Sequence, residues 1–183
     1  MKSAMQKIAV VLIAFFFCIQ SSAQIFLPVD AESSVKFSIK NFGLTTAGHF
    51  AGLKGKIQFD AGNTTSASFV VSVDAASVNT DNNTRDKHLL KEDYFDVAKY
   101  PLINFTSTSV NKDAAGKFLV TGNLSIKGVT KQISFPFTAE VQNNGYRFSG
   151  SFIINRRNFG VGGNSMVLAD NLQVSLDVFA KKD

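Results

Sequence analysis

Apolar and polar residues alternate with a period of two over most of this chain, from Val35 to Val178. Only a strand with one dry and one wet face satisfies that pattern, because successive side chains of extended backbone point to opposite sides. Val35, Phe37 and Ile39 alternate with Lys36, Ser38 and Lys40, and Phe69, Val71 and Val73 repeat the rhythm, as do Ile103 and Phe105. Phe118 and Val120 lead to Leu124 and Ile126, and Ile133, Phe135, Phe137, Ala139 and Val141 follow. Tyr146, Phe148, Phe152 and Ile154 share one parity, and Leu172, Val174, Leu176 and Val178 close the series. With the segment Phe50–Phe59 this predicts about eight strands.

Turn chemistry separates them. Asn144-Gly145 is a strong two-residue hairpin signal, Ala61-Gly62-Asn63 and Ala115-Gly116 are weaker ones, and Lys127-Gly128 gives a tight turn. Connections this short join antiparallel neighbours, so the second half reads as a meander. Pro136 inside a strand pattern predicts an edge or a bulge. A sheet with one apolar face must pack on a second sheet or close on itself. We read an all-β, antiparallel eight-stranded barrel, with a two-sheet sandwich as the alternative. An eight-stranded barrel encloses either packed side chains or one small ligand.

One stretch breaks the rhythm. Ser77 to Phe105, SVNTDNNTRDKHLLKEDYFDVAKYPLINF, is charged and helical in pattern, which predicts a short helical insert around residues 83–96. Asn83 suits the N-cap and Asp86 the first turn. Arg85, His88, Leu89 and Glu92, three and four residues apart, then share one side. Tyr100-Pro101 ends the insert.

The first 23 residues read as a secretory leader. Lys2 and Lys7 give a positive start, Ile8 to Ile19 a short apolar run, and Ser21 and Ala23 the small residues of a cleavage site. That run is too short to span a bilayer comfortably. Phe15, Phe16 and Phe17 are too bulky for a lipobox, so Cys18 is not read as a lipidation site. Cleavage leaves 160 residues, 24–183, as one domain. It carries no cysteine, hence no thiol chemistry or disulfide, in a periplasmic or secreted setting that would permit one. No transmembrane span remains. The net charge of +5 falls to +3 without Lys2 and Lys7, and the other lysines are scattered singly along the strands. No basic stripe of the kind that nucleic acid needs is present.

Two constellations can carry chemistry. Arg85, Asp86 and His88 on one short helix suit a general acid/base set, an anchor for a ligand head group, or plain architecture. His49 is the only other histidine, and no serine or cysteine stands in a nucleophile motif, so no catalytic residue is assigned. The second is Asn155-Arg156-Arg157-Asn158-Phe159-Gly160, running into Val161-Gly162-Gly163-Asn164. It lacks the helix start and Gly-Lys-Ser/Thr ending of a nucleotide loop. An arginine at a strand end instead reads either as a donor fork at the barrel mouth or as a surface ion pair. Two separated histidines and no calcium-type loop leave no metal site, and no cofactor is expected.

Taken together, these residues resemble the YceI-like family of secreted bacterial proteins over nearly the whole mature chain. Gly48-His49-Phe50 is similar to its Gly-x-Phe. Ser77-Val78, Thr80, Arg85-Asp86, His88-Leu89, Phe95-Asp96, Tyr100-Pro101 and Phe105 reproduce its most specific stretch. Gly122, Leu124, Gly128-Val129-Thr130, Arg156 and Phe159-Gly160 match its later motifs. The chain departs from it at Ser33-Ser34, where the family often has His-Ser, and at Asn158, where it commonly has Asp.

The resemblance implies a lipocalin-like barrel that binds a polyisoprenoid or other long-chain lipid without chemistry of its own, and it points to a homodimer. Phe37, Phe69, Phe105, Phe135, Phe137, Phe148 and Phe152 are then expected to line an apolar bore, and Arg85, His88 or Arg156 to meet the polar head. The competing readings are a periplasmic hydrolase or other enzyme using His88 and Arg85, and an outer-membrane barrel. The latter would need an outward apolar band and aromatic girdles.

Overall fold

The structure, a computed structural model, describes residues 24–183. The expected leader, with Cys18, lies outside the described residues. Ten strands follow one another: β1 (Gln24–Pro28), β2 (Ser34–Asn41), β3 (Leu44–Phe50), β4 (Lys54–Phe59), β5 (Ser68–Asp74), β6 (Leu102–Lys112), β7 (Phe118–Ile126), β8 (Val129–Gln142), β9 (Gly145–Asn155) and β10 (Leu168–Lys182). Among the described residues the one α-helix, α1 (Asn83–Leu89), lies between β5 and β6.

The sheet closes on itself. β1 pairs with β4 on one side (Phe26↔Ile57) and with the end of β10 on the other (Phe26↔Lys182). The ring β1-β4-β5-β6-β7-β8-β9-β10 therefore has eight strands, all antiparallel to their neighbours. This is the barrel that the alternation predicts, and the sandwich is excluded. The hairpin β2–β3 extends the wall, with β2 running on from β1 along β10.

One expectation needs correction. Phe50–Phe59 is not one strand but the end of β3 and all of β4, broken at residues 51–53. At the break Gly52 takes φ +73°, a left-handed conformation that costs glycine little. The two oxygens of Asp30 accept the backbone N–H groups of Gly52 (3.1 Å) and Leu53 (2.8 Å). Asp30 itself begins the 3-10 turn that separates β1 from β2. Two long strands thus kink at one level, clamped by one carboxylate, while their alternation continues through the bend.

Above the kink the wall changes character. The outer edge of β3 has a single bridge, His49↔Asn79, to the segment after β5. The insert replaces a strand there, with Phe95 set edge-on against Phe50 at 5.4 Å.

At the far end an aromatic cluster closes the barrel. Phe59, 1% exposed, meets Phe118, Tyr146 and Phe148 edge-on, each at 5.2 Å. Further up, rings lie along the wall. A Cβ on Gly48 would come within 2.5 Å of the Phe37 ring, and one on Gly122 within 2.5 Å of Phe105. Each glycine provides the flat backbone over which a phenyl folds, instead of projecting across the bore.

Pro136 pairs with Leu119 of β7, and the β8–β9 ladder begins one residue later at Phe137↔Gly150. Beyond it β8 is an edge toward β9, as the proline predicts. Inside this unpaired seam Phe135 stacks on Phe152, centroids 4.4 Å apart.

Candidate functional site

Between the aromatic base and α1 lies a cavity of about 770 Å³. All seven phenylalanines picked out from the sequence line it. Phe69, Phe137 and Phe148 contact one another as its floor. Phe105, Phe135 and Phe152 form the middle of the wall, and Phe37 stands on β2 opposite Gly48. Residues not singled out also contribute, notably Val71 of β5, Leu172 and Val174 of β10, and Phe50 and Phe95. The β10 pair was legible, since strand parity already assigned those positions inward. Phe95 was not, because it comes from the insert and no period places it.

Most of the exposed members of the lining gather at one end. Asn82, Thr84 and His88 of the insert and Val167 of the β9–β10 connection all border the cavity and reach solvent. The mouth is therefore at the α1 end, opposite the aromatic base.

The helix is capped one residue earlier than its sequence suggests. The Asn82 side chain, not that of Asn83, accepts the N–H of Arg85 (2.9 Å). Asp81, at φ +58°, turns the chain just ahead of it. Either asparagine has the chemistry of a cap, and the turn decides which is used.

The Asp86 carboxylate points back out of the helix. It accepts the Thr80 N–H (3.0 Å) and the Thr80 hydroxyl (2.5 Å). Arg85 closes the same loop, donating from Nε to Thr80 Oγ1 (2.7 Å) and from Nη2 to the Thr80 carbonyl (2.7 Å). Thr80 is 5% exposed, so these bonds are made away from water, where their loss costs most. Asp86→Ala strands the Thr80 N–H and hydroxyl. It should cost about 2–3 kcal/mol and lower the calorimetric midpoint by about 5–10 °C. A loss below about 1 kcal/mol would mean that Asp86 contributes only a helix-dipole effect.

His88 is exposed and its ring meets Tyr94 edge-on at 5.0 Å. With Asp86 turned to Thr80, the acid, the arginine and the histidine share a helix without forming a relay. The remaining Arg85 nitrogen, Nη1, has no partner among the described residues, and Arg85 and His88 both border the cavity.

Arg156 also borders the cavity, but it is 4% exposed and its guanidinium is engaged. Nε donates to the carbonyl of Ala169 (2.9 Å), and Nη1 to those of Val161 (2.9 Å), Gly162 and Gly163 (2.9 Å). Nη2 reaches the Leu168 carbonyl (3.2 Å) and Asp170 (3.1 Å). It clamps the β9–β10 connection, and its exposed neighbour Arg157 pairs with the other oxygen of the same Asp170 carboxylate (3.2 Å).

The outer wall is polar where β7 and β8 run side by side, with hydroxyl pairs Thr121–Ser134 (2.7 Å) and Ser125–Thr130 (2.6 Å) facing solvent. A membrane-spanning barrel would carry an apolar band there. Among the described residues no helix is long and apolar enough to cross a membrane.

Comparison with known proteins agrees with this architecture. The profile of the YceI-like domain matches residues 28–180. A UPF0312 protein of Shewanella denitrificans is 35% identical over 138 residues, 72% of each chain. The crystal structure of Burkholderia cenocepacia BcnA superposes with a TM-score of 0.80 at 26% identity, covering 84% of this chain and 99% of that one. A polyisoprenoid binding domain from Saccharophagus degradans, implicated in plant cell wall breakdown, shares the fold at 18% identity. Its TM-score is 0.68, over 88% of this chain and 99% of that one.

Proposed function

This chain belongs to the YceI-like family, and from that premise we propose that it is an exported, non-catalytic binding protein holding the tail of a polyisoprenoid or other long-chain amphiphile. The observation that carries the reading is the apolar cavity of about 770 Å³, open at one end and floored by phenylalanine. A bore of this volume lies within the range of small-molecule sites. The polyisoprenoid binding domain of the same fold supports the choice of ligand class. The leader-like first 23 residues support export.

The mechanism is burial. Each methylene moved from water into the bore gains about 0.8 kcal/mol, before the costs of association and of ordering the chain. The head group stays at the mouth, where Arg85 Nη1 and His88 offer donors to an anionic or carbonyl oxygen. Arg156 contributes indirectly, by holding the connection that forms one lip of the mouth.

At about 30 Å³ per water-sized or methylene-sized group, the cavity accommodates roughly 25 of them. Displacement of a fluorescent fatty acid by prenyl alcohols and fatty acids of increasing length tests this. Affinity should rise by up to about four-fold per added carbon and level off near about 20–25 carbons. Affinity independent of tail length would contradict burial in the bore.

A further inference from the structure

The end of the barrel that carries the mouth also holds several large apolar side chains out in solvent. Phe42 and Gly43 form the two-residue turn between β2 and β3, with φ +51° and +75°. A β-hairpin turn with positive φ at its first central position favours asparagine or glycine. The β7–β8 and β8–β9 turns place Lys127 and Asn143 at the equivalent strained position, and both are polar. Phe42 is the exception, a bulky ring in left-handed backbone and 73% exposed. Leu44 beside it is 74% exposed. Beside it, on the β9–β10 connection, Met166 is fully exposed and Val167 is 39% exposed. The two loops are tied together by a hydrogen bond from Phe42 N to the Val167 carbonyl (2.8 Å). Asn41 and Thr46 on the strands that flank the turn, and Ser165 and Val167 of the connection, border the cavity.

Charge supplies the second observation. Residues 33–50, the hairpin arm that carries Phe42, contain two lysines and no aspartate or glutamate. Lys40 stands next to the tip and Lys36 behind it on the same outer face, both exposed. The adjoining connection, residues 160–168, is uncharged. An apolar tip with a cationic neck matches an anionic bilayer surface, where rings and thioethers enter the acyl boundary and lysines meet phosphates.

We propose that Phe42, Leu44 and Met166 are a membrane-docking tip that sets the open end of the barrel against an anionic lipid surface. Building on the lipid-carrying reading, this lets the tail pass between bilayer and bore without crossing water.

The chain has no tryptophan, so Phe42→Trp introduces a single reporter. On adding vesicles of roughly equal phosphatidylcholine and phosphatidylglycerol, its emission should move to shorter wavelength and resist iodide quenching. Val141→Trp, on an exposed residue at the opposite end, should not respond. The combined variant Phe42→Asn, Leu44→Thr, Met166→Ser should lose about ten-fold or more in vesicle partition, with uptake of a water-dispersed fluorescent fatty acid unchanged. A Phe42→Trp indole indifferent to vesicles overturns the proposal, and so does protection that grows with protein concentration alone, which would make the tip a contact between copies. If wild-type protein refuses the fatty acid yet Phe42→Trp still answers to vesicles, docking stands and the carrier reading falls.

Discussion

Arg156→Met is expected to destabilise the protein by about 4 kcal/mol, more than any other single substitution considered for the site. Methionine keeps the apolar stem and removes every donor. The carbonyls of Val161, Gly162, Gly163, Leu168 and Ala169 then lose a common partner, and Asp170 loses one of its two arginines. A guanidinium matches this arrangement because five N–H donors fan out in one plane, whereas a lysine ammonium presents three from one point. Arg156→Lys should therefore recover only part of the loss. For a domain of this size the midpoint should fall by about 8–16 °C. The connection between β9 and β10 should become the first site of proteolytic cleavage, since its backbone is otherwise thinly held. A head-group role alone predicts the opposite pattern, with stability unchanged and ligand affinity reduced.

Much of this architecture was legible in the sequence. A period of two maintained through Phe37, Phe105, Phe137 and Val174 leaves one dry face per strand, and a dry face on every strand leaves few arrangements other than closure. The placement of the seven phenylalanines follows from parity alone. The joint kink at Asp30 and Gly52 was not legible, because alternation runs through it unchanged and the carboxylate that holds it acts across 22 residues. Nor could spacing say what Arg156 does. Its partners are backbone carbonyls, whose directions depend on the path of a glycine-rich connection and not on residue type. The same holds for Asp86, a sound first-turn residue by position whose carboxylate turns to Thr80 instead. The departure at Ser33-Ser34 from the family pattern falls at the kink, where Ser33 Oγ accepts the Phe179 N–H (3.1 Å) and donates to the Val29 carbonyl (2.7 Å). It lies far from the mouth and leaves the proposed head-group end untouched.

The second large effect is expected from filling the bore. Val71 on β5 and Val174 on β10 both line the cavity, and Val174 sits in register with Phe37 on one side and Phe152 on the other. Tryptophan at both positions should occupy space that a tail would otherwise take. In a packed core such enlargement strains neighbours and costs about 1–3 kcal/mol. Next to an open cavity it adds contacts, so stability should hold or rise. Excluding three or four carbons of tail removes about 2.4–3.2 kcal/mol of burial, roughly a hundred-fold in affinity. Binding lost with folding intact would separate the lumen from the outer wall as the seat of recognition. A variant that unfolds would instead show the interior already full.

Isotope-filtered NOE spectroscopy of the wild-type protein with a bound unlabelled prenyl or fatty chain tests the carrier account most directly. Cross-peaks from tail protons to the methyls of Val71, Leu124 and Val174 and to the rings of Phe105 and Phe152 are the predicted result. Cross-peaks confined to outward residues such as Val141 and Ile153, with the lumen methyls silent, would contradict it.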